Sequence, residues 1–190
     1  IKILFIVFKI IGYKFSSNLG FLIGIIFGPI FKSKKQIIKN LEKANIQKKQ
    51  NPEKIASNVL GNYGRIFAEY VHLEDFRNDK LKKYISIEGL EHLYYLKKSK
   101  KKAIFVSGHF NNFELMAMQI EKVGIELAAI YRPLNNVFLN KTMEKIRIEN
   151  ICKNQIKKGR AGSREIIKNV KSGKSIAIMI DQRVREGEKV

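Results

Sequence analysis

From residue 3 to residue 31 the chain is almost continuously apolar, broken only by Lys9, Lys14 and the run Ser16-Ser17-Asn18, with glycines at 12, 20, 24 and 28. A bilayer span takes about 20 predominantly apolar residues. Residues 19–31 fall short of that, and every longer window takes in the Ser-Ser-Asn break. The pattern therefore predicts a membrane-anchoring helical segment over residues 1–31 in one of two forms. It is either a single interrupted spanning helix or two short helices lying in the interface. A secretory signal requires a small-residue cleavage site between Phe31 and the lysines after it, and none is legible. A buried helical hairpin is the soluble alternative. Lys32, Lys34, Lys35 and Lys39 come directly after the apolar run. Basic residues there suit an anionic surface and place the domain behind them on the cytoplasmic side.

Residues 36–75 carry apolar positions at helical spacing, and Asn51-Pro52-Glu53 marks a helix restart. Residues 84–88 predict a short strand, 91–96 a short helix, and the lysines at 97, 98 and 100–102 a loop. The pattern then alternates. Short apolar runs predict strands at 103–107, 126–131 and 175–180, and helical spacing fills 112–123, 138–150 and 163–171. This alternation predicts an α/β fold with a central, largely parallel sheet flanked by helices. It forms one domain over residues 32–190, behind the apolar anchor of residues 1–31.

Charge changes the picture less than its size suggests. The 190 residues include 37 Lys+Arg against 17 Asp+Glu, a formal net charge of +20, and 29 of the positive residues are Lys. Such a field favours polyanions or an anionic membrane leaflet. Abundant Ile and Asn beside the Lys are also what an AT-rich genome produces. The Arg forks and aromatic platforms of nucleic-acid readers do not cluster with the Lys runs. An anionic membrane surface is therefore the expected partner, and nucleic acid is not. Cys152 is the one cysteine, and the histidines are His72, His92 and His109. This excludes an internal disulfide framework and leaves no multi-Cys zinc site; no metal or cofactor is expected. Cys152 reads as an unreactive thiol, and His72 and His92 as surface residues.

In parallel sheets, functional groups collect at the carboxyl ends of the strands. Three polar clusters come after the three predicted strands: Ser107-Gly108-His109-Phe110-Asn111-Asn112-Phe113-Glu114, then Tyr131-Arg132-Pro133-Leu134-Asn135-Asn136, then Asp181-Gln182-Arg183. His109, with Glu114 five residues on at a helix start, suits removal of a proton from a hydroxyl. A neutral imidazole is a base near pH 7, and a carboxylate on its other nitrogen fixes the tautomer. Arg132 is the candidate for an oxyanion or phosphate contact.

These blocks resemble those of the bacterial lipid A biosynthesis acyltransferases, the lauroyl and myristoyl transferase family within the wider glycerolipid acyltransferase superfamily. The superfamily signature, His followed after four residues by Asp or Glu, stands here as His109 to Glu114. Tyr131-Arg132-Pro133 with Asn136, Arg160-Ala161-Gly162, and Asp181-Gln182 resemble three further blocks in the same order. Upstream, Asn40-Leu41, the helix with Asn62, Gly64, Arg65 and Glu69, and Glu88-Gly89-Leu90-Glu91 are similar to the family too. The resemblance implies an O-acyltransferase at the cytoplasmic face of the bacterial inner membrane. His109 would be its general base, oriented by Glu114, and Arg132, Arg160, Asp181, Asn112 and Arg164 would bind substrate. The donor it implies is an acyl-carrier-protein thioester (or acyl-CoA), and the acceptor a hydroxyl on a lipid A precursor in the membrane. Gly162 reads as a backbone requirement. Family members continue past the Asp-Gln block, so the resemblance implies further elements after Val190. Two other readings stay open. One is a relative acting on a lysophospholipid or other glycolipid, although the Phe-Pro-Glu-Gly-Thr-type block of glycerolipid members is absent around Arg185-Glu186-Gly187. The other is a non-catalytic basic protein binding membranes or nucleic acid, which gives His109, Glu114, Arg132 and Asp181 no task.

Overall fold

The computed structural model describes residues 2–44, 51–134 and 136–181. The chain forms two compact units, Ile1–His72 and Leu73–Val190. By packing, the first unit takes in the next helices as well as the apolar segment. It contains α1 (Lys2–Ile11), α2 (Tyr13–Phe31), α3 (Lys34–Lys43) and α4 (Pro52–Glu69), closed by a 3-10 turn at Tyr70–His72. Gly12, at φ 79°, is the break between α1 and α2, in a left-handed conformation that glycine adopts without penalty. Ser33 caps α3 by accepting from the Gln36 amide. Asn51 caps α4 by accepting from the Glu53 amide at 2.9 Å, with Pro52 as the first helical residue. That is the restart read from the sequence; residues 45–50 of the expected helical stretch lie outside the described residues.

The contact between α2 and α4 is made at backbone distance. Gly20, Gly24 and Gly28 fall four residues apart on one face of α2, opposite Leu60, Gly61, Gly64 and Ala68 of α4, so the helices run antiparallel. A Cβ at position 20 would stand 2.6 Å from the Ala68 Cβ, and one at position 64 would run into the Gly20 carbonyl oxygen. Small residues that let two backbones meet are a common interface between apolar helices. Beside this seam lies a buried polar cluster. Ser17 Oγ donates to Glu69 Oε1 at 2.7 Å and accepts from Arg65 Nη1 at 2.8 Å. His72 Nε2 lies 2.9 Å from Ser16 Oγ and 3.2 Å from the Phe8 carbonyl. His72 is thus not the surface residue expected of it. It is buried at 3% exposure because the 3-10 turn after α4 carries it in among α1 and α2. His92 is exposed, as expected.

The second unit runs α5 (Leu73–Arg77), a 3-10 turn at Lys82–Tyr84, α6 (Leu90–Ser99), β1 (Ile104–Ser107), α7 (Glu114–Lys122), β2 (Leu127–Tyr131), α8 (Val137–Asn150), β3 (Asn154–Lys157), α9 (Arg160–Lys171) and β4 (Ser175–Met179). The four strands are parallel in the order β1-β4-β2-β3, which is the predicted fold class. Ala128, Ile156 and Ile176 make its core, with Ile130 and Ile166 packed against them. Three details differ from the sequence expectation. Residues 84–88 are not a strand: Tyr84 closes the 3-10 turn and Ile87 is exposed, so no sheet face holds the segment. The polar run Asn154–Lys157 is a strand. Among the described residues it is bonded to β2 alone, and it buries only Ile156 fully, so it needs little apolar sequence. The expected loop at 97–102 is shorter, because α6 runs on through Lys97 and Lys98 and ends at Lys100, with φ 55°.

Adding a methyl at the helix seam should be felt at once. Gly64→Ala is expected to destabilise the first unit by about 1–3 kcal/mol, the range of forced overpacking, while Asn58→Ala on the exposed side of α4 leaves stability unchanged. Thermal unfolding of the detergent-solubilised full chain, followed by far-UV circular dichroism, reads both; equal melting temperatures would contradict the backbone contact.

Candidate active site

β1 and β4 are neighbours in register, with Ser107 opposite Met179, and the Ile180 amide donates to the Ser107 carbonyl at 3.0 Å to extend the ladder. Two residues beyond that last pair, the strands deliver His109 and Asp181 to one place. His109 Nδ1 stands 2.6 Å from Asp181 Oδ1, and the His109 backbone amide donates to Oδ2 at 2.7 Å. One carboxylate therefore holds both the ring and the main chain of the same residue. The Phe113 ring meets the imidazole edge-on, at 4.6 Å between centroids and 71°. Gly108 makes room: a Cβ there would lie 3.2 Å from Asp181 Oδ2 and 2.9 Å from the Phe110 ring. With the proton on Nδ1 donated to Asp181, the lone pair is on Nε2, the tautomer a general base requires.

The two His109 donors, the amide first and the ring second, hold the Asp181 carboxyl below the usual aspartate range. His109 itself is partly exposed.

Glu114, expected on the imidazole, opens α7 and accepts from Arg147 of α8 on Oε1: Nε at 2.8 Å and Nη2 at 2.7 Å, with both side chains buried. Asp181 thus holds the Nδ1 position that the sequence assigned to Glu114. The Arg147 guanidinium also lies over the Tyr131 ring, 5.4 Å from its centroid. Tyr131 donates its hydroxyl to Glu144 Oε1 at 2.7 Å, and Lys157 Nζ reaches the same oxygen at 3.1 Å. Burial, reinforced by Glu144, pushes the Tyr131 phenol up, and the Tyr131 hydroxyl bond draws the Glu144 carboxyl down. The chain behind the first block is in this way tied to the ends of β2 and β3.

The other expected site residues share the carboxyl edge of the sheet or its helices. Arg132 is exposed directly after β2, Asn112 is half-buried in the loop before α7, and Arg164 is exposed on α9. Arg160 is the first residue of α9. Among the described residues, neither Arg132 nor Arg164 is bonded to His109. Asn135, Gln182 and Arg183, named in the sequence clusters, lie outside the described residues. Gly162 is a backbone requirement, as read: its Cα passes so near the Lys157 carbonyl oxygen that no Cβ fits. Cys152 is buried and donates to the Leu127 and Asn154 carbonyls, and burial pushes its thiol up to about 11, which leaves it a poor nucleophile. Arg147 escaped the sequence reading. Its signal is a charge four residues after the buried Met143, on the inward face of an amphipathic helix.

Two measurements test this geometry. Removing Arg147 strands the buried Glu114 charge, so Arg147→Ala is expected to destabilise the protein by about 3–5 kcal/mol. Arg147→Met combined with Glu114→Gln recovers much of that in the same thermal melt. Because the Asp181 pKa is lowered by folding, its contribution is present above the ordinary aspartate pKa and is lost as pH falls through the lower folded value. The Asp181 carboxyl carbon, followed by NMR against Asp181→Asn, should titrate below free aspartate; a normal midpoint would contradict the double contact.

The family model described as bacterial lipid A biosynthesis acyltransferase matches residues 1–190, the whole chain. No curated protein matches it. With the four blocks in family order and two of them joined at His109 and Asp181, the chain belongs to the bacterial lipid A biosynthesis acyltransferase family.

Proposed function

We propose that this acyltransferase moves a fatty acyl chain from an acyl-carrier-protein thioester to a hydroxyl of a lipid A precursor, at the cytoplasmic face of the bacterial inner membrane. The observation that carries the reading is the 2.6 Å contact between His109 Nδ1 and Asp181 Oδ1. Nε2 takes the acceptor hydroxyl proton as the hydroxyl oxygen attacks the thioester carbonyl. The new C–O bond forms, the C–S bond breaks, and the imidazolium returns the proton to the departing thiolate. Asp181 stabilises the imidazolium through Nδ1–H and keeps the ring in one orientation. General base catalysis of this kind supplies about 10²–10⁴-fold.

Glu114 acts on the same step by holding the start of α7, directly after the His109 loop, against Arg147. Arg132 at the end of β2 is the group for the oxyanion or an acceptor phosphate, and Arg160, Arg164 and Asn112 extend the substrate-binding edge. No metal or cofactor enters the mechanism. The run of apolar helices and the lysines beside it attach the enzyme to the membrane in which its acceptor resides.

The test uses membranes containing the full protein, incubated with acyl carrier protein loaded with labelled acyl chains. A Kdo-bearing lipid A precursor and a lysophospholipid serve as alternative acceptors. Label is expected on the sugar lipid, falling by about 10²–10⁴-fold in His109→Ala and by about 10²-fold or more in Asp181→Asn, which keeps the shape and removes the charge. Label on the lysophospholipid alone would move the acceptor. Full activity in His109→Ala would overturn the mechanism.

A further inference from the structure

The first unit carries an apolar surface that its own packing leaves uncovered. On α1 the exposed residues are Ile3, Ile6, Val7 and Ile10, at helical spacing along one face. On α2 they include Phe15, Leu19, Leu22, Ile26 and Ile30, again one face, opposite the glycine seam. Apolar faces left bare in this way mark a site of contact. Its surroundings are basic: Lys9, Lys14, Lys32, Lys34 and Lys35 fall in the same segment, and Glu42 is the one acidic residue before Glu53 in the sequence. A second copy would bring these lysines against like charge, whereas an anionic leaflet complements them.

The glycine seam also limits how that surface enters a bilayer. Because α2 and α4 are antiparallel, the middle of α2, at Gly20 and Gly24, lies against Gly61 and Gly64 in the middle of α4. A spanning α2 would draw α4 in with it. Asn58, Asn62 and Arg65 run along one side of α4, with Glu53 and Lys54 exposed at its start. Polar and charged groups of that kind are costly in hydrocarbon unless they are enclosed, and Asn58 and Lys54 are exposed. α1, with ten residues, extends about 15 Å, half the thickness of the hydrocarbon core.

We infer that the α1–α2 surface is a monotopic membrane-docking face, buried in one leaflet of an anionic bilayer with α4 kept on the water side, and not a transmembrane span. The inference rests on the membrane attachment in the proposed function and specifies its form. Both ends of α2 remain on the cytoplasmic side. The face enters to the depth of its side chains, as an interfacial amphipathic element does.

Single cysteines at the two ends of α2 decide the matter: Lys14→Cys and Lys32→Cys in the full chain, with the unaltered protein as baseline for Cys152. Sealed vesicles of both orientations are treated with a membrane-impermeant maleimide, and labelling in detergent gives the full value. The expected result is that both positions label from the cytoplasmic side and lose labelling from the other. Labelling from opposite sides would show that α2 spans and overturn the inference. Leu22→Cys and Ile26→Cys, on the proposed face, should be shielded in vesicles from both sides and open in detergent. Disulfide-linked pairs through Leu22→Cys in protein recovered from the soluble fraction would assign the face to a second copy and overturn it as well. Acyl transfer assayed in detergent is independent of topology, so loss of that activity counts against the enzyme reading alone.

Discussion

The in-register pairing of β1 with β4 is the constraint on which the catalytic edge depends. Those strands are far apart in sequence, and the contact they produce joins residues 72 positions apart. A parallel ladder fixes where each strand ends, so residues at equal distance past the last pair emerge side by side. Here they are a histidine and an aspartate. The carboxylate then removes two freedoms at once, because one oxygen holds the ring and the other holds the backbone amide that carries it. Phe113 limits the ring from a further side. A base held in this way needs little reorganisation when a hydroxyl arrives, which is where orientation contributes to rate.

Both units bury charge, and in both the burial is compensated locally. Glu114 and Arg147 form a close ion pair at the start of α7, and Ser17 sits between Arg65 and Glu69 beside the glycine seam. A buried pair of this kind adds little net stability over apolar residues of the same size, but it is costly to break, and it disfavours any packing that separates its members. In the second unit that restriction sets where α7 begins relative to α8. In the first it sets the rotation of α2 about its axis and so decides which side of the helix is left apolar and bare.

Much of this was legible in the sequence, and the rest was hidden for physical reasons. The apolar runs at 126–131 and 175–180 announced a parallel sheet because β2 and β4 are its inner strands, and 103–107 did so although β1 is an edge strand with Ile104 and Val106 exposed. Asn154–Lys157 did not, because an edge strand can be polar. Residues 84–88 alternated like a strand, but no neighbour holds them in a sheet. His109 and Asp181 were both named as site residues, yet their contact depends on strand order, and spacing favoured the nearer Glu114. Long-range pairing leaves no trace in local spacing. The same holds for His72, which reads as a surface residue because it lies outside the site blocks and is enclosed by helices more than fifty residues earlier in the chain.

β4 lies between β1 and β2, although it comes after all three other strands in the sequence. During synthesis the described sheet therefore has a gap between β1 and β2 until β4 leaves the ribosome. Non-local parallel pairing of this sort closes slowly, while the first unit, Ile1–His72, is synthesised in full before β1 begins. The basic apolar surface is thus available to lipid while His109 still lacks its aspartate. The order of translation favours a catalyst that is assembled only after its greasy part has had time to find a bilayer, and it shortens the period in which an unfinished sheet edge and an exposed apolar face coexist in solution.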